Sequence, residues 1–167
     1  MKAPNTLLVI PALLLFTACD KGIAPPAAAP SPNLNGSFSG TVTFLNWIAA
    51  DTLYDLRLIA FTVFPPADVI DEVLQGRAVV HPPLGAGLLA MEGADSVVYQ
   101  LQLAAGTYPY VVVAQQFGPD LFADWKPVGQ YDLDSNLTDP SPVVITAGQN
   151  VPGIHIKVDF ANPPPIP

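Results

Sequence analysis

The chain has 167 residues, of which half are apolar and only 12% are charged, with 20 prolines, 12 glycines and a formal net charge of −8 at pH 7. This length suits one domain, and the composition excludes a largely disordered chain and a helical bundle. The acidic excess also excludes a basic nucleic-acid-binding protein, because it would repel a phosphate backbone.

Residues 1–18 have the pattern of a secretory signal. Lys2 precedes an apolar run at 7–16, which is too short to cross a bilayer of about 30 Å as a helix. The segment LFTAC at 15–19 resembles the lipobox of bacterial lipoproteins. That resemblance implies cleavage before Cys19 and acylation of this cysteine, although Phe16 stands where the family prefers leucine.

Cys19 is the only cysteine, so no intramolecular disulfide can form in an oxidising compartment. The thiol is either acylated or left free by cleavage elsewhere. Acylation predicts stable attachment to the membrane through the lipid on Cys19. The expected location is the bacterial cell envelope, anchored to the inner or outer membrane, with the domain in the periplasm or at the cell surface. Asp20 resembles an inner-membrane retention signal of enterobacterial lipoproteins, but the choice of membrane stays open.

The cysteine is followed by a predicted spacer. Residues 19–35 comprise Cys19 and a proline- and alanine-rich run without hydrophobic periodicity, which could extend about 40–50 Å in polyproline geometry. Residues 162–167 are likewise predicted to be a proline-rich tail. The residues between them, 36–161, are predicted to form one folded domain.

Apolar and polar residues alternate along this domain with the period of half-buried β-strands. In the first segment Phe38, Val42 and Phe44 share one face. The segment at 54–64 is apolar on both faces, which favours a central strand. Seven strands are predicted, at residues 36–44, 54–64, 97–103, 107–116, 128–131, 142–146 and 151–160. The predicted fold class is therefore an all-β antiparallel sandwich.

The strand pattern is interrupted at residues 66–96 by an insertion that is predicted to be partly helical. Pro66 can open a short helix that runs through Asp71 and Glu72 to Gln75, with Gly76 at its end. The two adjacent carboxylates are predicted to lie on the solvated face of this helix.

Three segments carry a resemblance to a known family: LAAGTYPYVVVA at 103–114, VVITAG at 143–148 and IHIKVDF at 154–160. Together they resemble the carboxypeptidase regulatory-like, or transthyretin-like (prealbumin-like), domain. The resemblance implies a seven-stranded Greek-key sandwich and an accessory, non-catalytic role. Within the first segment Tyr108, Tyr110 and Val112 are expected to share one face. Residues 45–96 depart from the family pattern, which leaves the strand order there open.

Few residues offer catalytic chemistry. A hydrolytic nucleophile needs a base and an orienting group, but the chain has only His81 and His155 and no Gly-x-Ser-x-Gly motif. Zinc needs three or four clustered ligands, whereas the two histidines lie far apart in sequence and Cys19 is assigned to the lipid. Both histidines are expected to be surface or loop residues, and no cofactor is predicted.

A calcium loop is the one metal site that the spacing allows. Asp132, Asp134 and Asn136 have the i, i+2, i+4 spacing of oxygen ligands, and Asp139 follows. Leu137 replaces the turn glycine, and Val143 replaces the bidentate glutamate. The alternative is a polar loop in which Asp and Asn side chains bond to their own backbone.

Aromatic side chains offer a weak candidate for ligand contact. Trp47 and Trp125 could stack on sugars, and Trp125 is the better candidate because it stands in a predicted loop. Such aromatic residues also commonly cap the open end of a core. The adjacent carboxylates Asp71 and Glu72 do not suggest glycoside hydrolysis, because they fit the polar face of a helix.

The pattern predicts a membrane-anchored lipoprotein that displays a non-catalytic binding or structural module with an unknown protein or carbohydrate partner. A second hypothesis is a carrier of a small ligand or carbohydrate, which would use the sheet surface or line a pocket with residues 84–91. A third is an enzyme, which would require His81 or His155 beside a carboxylate in a cleft.

Overall fold

The computed structural model describes residues 35–134 and 136–167. The signal at 1–18, the lipidation at Cys19 and all of the spacer except Asn35 lie outside the described residues. The described part is mostly β-structure, with a single turn of 3₁₀-helix at Ala50–Thr52. In chain order its other elements are β1 (Asn35–Leu45), β2 (Asp55–Phe61), α1 (Val69–Leu74), β3 (Ala78–His81), β4 (Ser96–Ala104), β5 (Gly106–Tyr108), β6 (Tyr110–Gln116), β7 (Trp125–Gln130), β8 (Val143–Ile145), β9 (Asn150–Val151) and β10 (Ile156–Asp159).

The first sheet has the order β10-β1-β4, and β9 also pairs with β1. Strand β4 runs antiparallel to β1, with Asn35 opposite Ala104 and Thr43 opposite Ser96. Strands β9 and β10 run parallel to β1, so the prediction of a fully antiparallel fold is wrong at these two pairs. A parallel neighbour needs a long crossover connection. The connection between β1 and β10 contains every other strand of the described part.

The second sheet is antiparallel throughout and has the order β3-β2-β6-β7. Strand β2 lies between β3 and β6, which confirms the predicted central strand. The predicted strand at 107–116 is divided at Pro109 into β5 and β6, because a proline has no NH to donate to a ladder. Strand β5 pairs instead with β8 in a separate two-stranded ribbon.

One large apolar cluster, the main core, contains residues from the facing sides of both sheets. The predicted alternation is confirmed on the first sheet, since the inward-facing residues of β1, β4 and β10 are buried except for Gly40 and Val97, which are partly buried. They meet the inward-facing residues of β2 and β6. The main-core residues from these five strands are Phe38, Val42, Phe44, Leu56, Leu58, Ala60, Tyr99, Leu101, Leu103, Val111, Val113, Ile156 and Val158.

A smaller apolar cluster, the outer cluster, covers the opposite face of the second sheet. Its buried members are Ile59, Phe61, Ala78, Tyr110, Val112 and Ala114. The expectation that Tyr108, Tyr110 and Val112 share a face is wrong for Tyr108, which lies in the main core. The alternation changes phase at Pro109 because the strand is broken there.

The helix α1 lies within the predicted insertion and begins after the N-cap residue Asp68. The Asp68 carboxylate accepts hydrogen bonds from Ile70 N at 2.9 Å and Asp71 N at 3.0 Å. The prediction that Glu72 is solvated is wrong, because Glu72 is 1% exposed. Its Oε2 accepts a hydrogen bond from Arg77 Nε at 2.5 Å, and this charged partner makes burial of the carboxylate tolerable.

This buried carboxylate predicts a loss of stability in acid. The hydrogen bond from Arg77 lowers the pKa of Glu72 below its ordinary value of 4.5. The unfolded chain therefore binds a proton more readily, so the stabilisation is complete above about pH 4.5 and is lost as the pH falls through the lowered pKa. Glu72→Gln is expected to weaken the acid dependence of the urea midpoint, measured between about pH 6 and 3.

The matched control for this prediction is Glu92→Gln, which changes an exposed carboxylate. The control is expected to retain the acid dependence of the parent chain. Equal acid dependence in the parent and in Glu72→Gln would show that the ion pair with Arg77 does not contribute.

Candidate functional site

A groove runs across the outer cluster and contains the predicted ligand residue Trp125. We call it the outer groove. Its volume is about 240 Å³, and strand residues from β2 and β6 form its floor. It is bounded by residues 66–69, 125–127 and 166–167; the lining residues used below are Phe61, Tyr110, Val112, Trp125, Ile166 and Pro167.

Trp125 stands at the start of β7 opposite Gln116, rather than in a loop as predicted. Its indole Nε1 donates a hydrogen bond to Leu121 O at 2.7 Å. The ring is half-buried and packs against the outer cluster. The side chain is therefore held in a fixed orientation at one wall of the outer groove.

Tyr110 is the site residue that sequence reasoning did not single out. Its ring lies between Phe61, at 5.7 Å between centroids, and Phe64, at 5.3 Å. The side chain is buried, and among the described residues its hydroxyl has no hydrogen-bond partner. Burial raises the pKa of Tyr110 well above its ordinary value, so the hydroxyl keeps its proton and remains a donor.

Residues 165–167 of the predicted proline-rich tail line cavities on this face of the second sheet, whereas Asn162 and Pro164 line a cavity beside Asp132. Pro164 is buried, whereas Ile166 is 75% exposed. Ile166 and Pro167 line the outer groove and also a second cavity of about 140 Å³. Tyr110 lines both cavities, so the end of the tail separates two spaces that share this tyrosine.

The predicted calcium loop is held by hydrogen bonds among its own side chains and backbone. Asp132 Oδ1 accepts from Asp134 N at 3.3 Å, and Asp134 Oδ1 accepts from Asn136 N at 2.6 Å. Asn136 Oδ1 accepts from Thr138 Oγ1 at 2.7 Å, while Asp139 donates its backbone NH to Asn136 O. Side-chain-to-backbone hydrogen bonds of this kind are typical of a polar loop.

A cavity of about 350 Å³ adjoins this loop and is lined by Asp132, Asp134, His155, Lys157 and Asp159. Within residues 35–134 and 136–167, no three His, Cys, Asp or Glu side chains come together in a way that could hold a metal ion. The cavity is therefore a polar depression of mixed charge.

The two histidines occupy different surroundings. His155 Nδ1 accepts a hydrogen bond from Thr41 N at 3.2 Å. His81 ends β3 opposite Leu58, and burial together with the charge of Arg57 lowers its pKa. Among the hydrogen bonds of the described residues, neither imidazole is paired with a carboxylate, so the base-and-orienter arrangement of a hydrolase is not assembled there.

Trp47 closes one end of the main core. Its ring stacks on Phe44 at 4.8 Å and lies 4.9 Å from Phe160 between centroids. Its Nε1 donates to Ala94 O at 2.9 Å. This is the capping role that the sequence offered as the alternative to sugar contact.

The insertion that was predicted to line a pocket is packed against the core instead. Leu89 and Ala90 are buried in the main core, and Leu89 N donates to Leu56 O at 3.0 Å. Leu84 and Met91 are exposed at its two ends. This packing weighs against a carrier that uses residues 84–91.

Comparison with protein-family models, curated proteins and solved structures finds no match to this chain. No helix in the described residues is both long enough and apolar enough to cross a membrane.

Proposed function

We propose that the chain is a bacterial lipoprotein that is anchored through acylated Cys19 and displays a non-catalytic binding module. The observation that carries this proposal is the LFTAC segment at 15–19, which places the only cysteine directly after an apolar run and before a proline-rich spacer. The spacer ends where β1 begins, at Asn35. The proposed location is the cell envelope, with the module in the periplasm or at the cell surface.

The proposed architecture of the module is a transthyretin-like Greek-key sandwich. Two features support it: both sheets contribute to the main core, and the family-like segment at 103–114 leads from the first sheet to the second. The separate ribbon of β5 and β8 and the parallel pairing of β1 with β10 would be this chain's departures from the seven-stranded antiparallel pattern. Binding is favoured over catalysis because the described histidines lack carboxylate partners while an apolar groove crosses the second sheet.

A carrier of a small ligand or carbohydrate on the sheet surface is the second candidate. The observation that favours it is the position of Trp125, whose half-buried ring forms a wall of the outer groove. Aromatic rings provide the apolar faces on which sugars stack.

The anchor is tested by metabolic labelling with palmitate in cells that make the parent chain or Cys19→Ala. The parent is expected to incorporate label and to sediment with membranes, whereas Cys19→Ala is expected to lose both properties, because the thiol is the site of attachment. Ser31→Ala is the matched control in the spacer and is expected to behave like the parent. Equal membrane recovery of the parent and Cys19→Ala would rule out the lipid anchor.

A further inference from the structure

The strand β4 forms an open edge of the first sheet. Among the described strands it pairs with β1 alone. Just before β4 begins, Phe44 N donates to Asp95 O at 3.0 Å, which fixes the phase of the ladder. Opposite residues of an antiparallel pair alternate between hydrogen-bonded and non-hydrogen-bonded pairs. The residues whose backbone NH and C=O groups point away from β1 are therefore Ser96, Val98, Gln100, Gln102 and Ala104.

This edge is accessible along its length. All five of these residues are exposed, and Val98 has 80% of its surface exposed. Tyr99 and Leu101 between them are buried in the main core, which holds the strand in place. Ala104 O accepts a hydrogen bond from the Tyr108 hydroxyl. Within residues 35–134 and 136–167, the other outward backbone groups of β4 have no hydrogen-bond partner.

The other outer strands of the two sheets carry features that hinder edge-to-edge pairing. Strand β3 is four residues long and is followed by two prolines at 82–83. Strand β7 contains Lys126 and Pro127 and has an irregular register with β6. Strand β10 contains Lys157 and Asp159 and lies beside β7. In contrast, β4 is nine residues long, keeps an unbroken register with β1 and contains neither charge nor proline.

The neutrality of β4 bears on which partner it can accept. The chain has 14 acidic residues and 6 basic ones, so two copies repel each other over most of their surface. Contact between copies is therefore favoured where neither copy carries charge. The face beside β4 on β1 presents Ser39, Thr41 and Thr43, which are also uncharged. Together these strands form a neutral patch on which two copies of an acidic chain can meet.

The strand is also compatible with pairing to itself. An antiparallel pair with a twofold axis at Gln100 matches all nine residues of each strand, and Val98 then lies opposite Gln102 of the second copy. The three central residue pairs alone would form about six backbone hydrogen bonds. The two copies of Asp95 would lie about 30 Å apart, beyond the screening length of about 8 Å. A parallel pair would place these carboxylates side by side, so the antiparallel pair is favoured.

We propose that β4 pairs antiparallel with β4 of a second copy, so that the first sheets of the two copies form one continuous sheet. The pairing gives partners to the outward NH and C=O groups of both strands and covers Val98. An interface of two strands is small, so the dimer is weak and depends on concentration. The inference goes beyond the proposed function, because it holds whether or not Cys19 is acylated.

Sedimentation of Cys19→Ala over a concentration series up to about 0.5 mM measures the pairing without any contribution from acylation. In this background Gln100→Glu would place two carboxylates opposite each other across the axis, and it is expected to weaken the dimer about tenfold or more. The matched control is Gln149→Glu, which makes the same change of charge at an exposed position beyond the other edge of β1. The control is expected to dimerise like Cys19→Ala.

Val98→Pro separates edge pairing from folding. The Val98 NH points away from β1, so proline removes no hydrogen bond within one copy, and the urea midpoint is expected to stay close to that of Cys19→Ala. The dimer is expected to be lost, because proline cannot donate to a strand on the open edge.

Gln100→Cys in the same background tests the register. The two substituted residues would have Cα atoms about 5.5 Å apart, which a disulfide can span. With oxidised glutathione as the oxidant, Gln100→Cys is expected to form a covalent dimer, whereas Gln149→Cys is expected to remain largely uncrosslinked.

A chain that stays monomeric throughout the concentration series would overturn the proposal. So would a folded Gln100→Glu or Val98→Pro that dimerises as strongly as Cys19→Ala, because the contact would then lie elsewhere. Equal crosslinking of Gln100→Cys and Gln149→Cys would likewise contradict the antiparallel register.

Discussion

Replacing Arg57 by alanine is expected to lower the free energy of unfolding by about 3–5 kcal/mol, the range seen when one partner of a buried ion pair is removed. Arg57 is 2% exposed, and its Nε lies 2.7 Å from Asp55 Oδ1. The Nε–H is not directed at that oxygen, so this contact is an ion pair rather than a hydrogen bond. Removing the guanidinium would leave the Asp55 carboxylate, which is itself largely buried, without its counter-charge.

Arg57 also fastens the insertion to the second sheet. Its Nη1 donates to the carbonyls of Pro82, Pro83 and Gly87 at 3.0–3.1 Å, and its Nη2 donates to Ala86 O at 3.0 Å. In Arg57→Ala four carbonyl groups would lose their donor together, and each would have to find water or remain unsatisfied. We therefore expect residues 82–87 to loosen before the rest of the domain unfolds.

Urea denaturation followed by circular dichroism measures the global effect, and limited proteolysis measures the local one. Arg57→Lys is expected to retain part of the stability, because an ammonium group keeps the charge but cannot reach four carbonyls with a fixed fork of donors. Lys157→Ala, which removes an exposed cation, is expected to change stability by less than about 0.5 kcal/mol. A loss below about 1 kcal/mol in Arg57→Ala would contradict the anchoring role.

Replacing Gly40 by alanine is expected to cost about 3 kcal/mol or more, the upper part of the range for overpacked sites. A Cβ atom at this position would lie 1.8 Å from Ile154 O and 2.5 Å from Ile154 C. Both contacts are with backbone, so no side-chain rotation can relieve them. The segment around Ile154 would have to move away from β1.

That segment is held close to β1 and β4 by two hydrogen bonds. Ile154 N donates to Ser39 O at 3.0 Å, and the buried Tyr99 hydroxyl donates to Ile154 O at 2.5 Å. A displacement forced by Gly40→Ala would stretch both hydrogen bonds and move the residues just before β10 away from the first sheet. Gly87→Ala is the matched control, because a Cβ there meets no atom within 4 Å.

The measurement is the urea midpoint of the three chains under one set of conditions. The control is expected to stay within about 1 kcal/mol of the parent, while Gly40→Ala is expected to unfold at much lower urea or to be recovered unfolded. Similar midpoints for Gly40→Ala and Gly87→Ala would show that the backbone around Ile154 moves freely.

The sequence predicts the strands and their buried faces well where alternation is regular. In β4 the residues Tyr99 and Leu101 face the main core while Gln100 does not, as period-two spacing requires. The same spacing cannot reveal which strand lies beside which, or in which direction. The parallel pairing of β1 with β10 was therefore not predictable from the pattern of either strand.

Two predictions about side-chain burial, at Tyr108 and at Glu72, are wrong for different reasons. At Tyr108 the alternation was followed across Pro109, although a proline there breaks the ladder. At Glu72 a helical pattern suggested a solvated side chain, but burial of this carboxylate depends on Arg77, which lies beyond the end of α1. The sequence places Glu72 and Arg77 five residues apart, but only the turn after α1 brings their side chains together.

The outer groove was missed for a related reason. The segment at 54–64 is apolar on both faces and predicts a central strand, which β2 confirms. Sequence alone cannot say whether the second face is covered by helix, by tail or by a partner. Two features of the sequence point to such a groove. One is a strand at 54–64 that is apolar on both faces although only one short helix is available to cover the second face, and the other is the proline-rich segment at 162–167.

The parallel pairing of β1 with β10 also limits how early this domain can fold during synthesis. The first strand acquires its parallel neighbour only after residues 156–159 have been synthesised. Contacts between such distant parts of a chain form slowly, because a large loop must close before they contribute. Until residues 156–159 have been synthesised, residues 42–45 of β1 have no partner on the edge that later pairs with β10. The first sheet is therefore completed only when nearly all of the domain has left the ribosome.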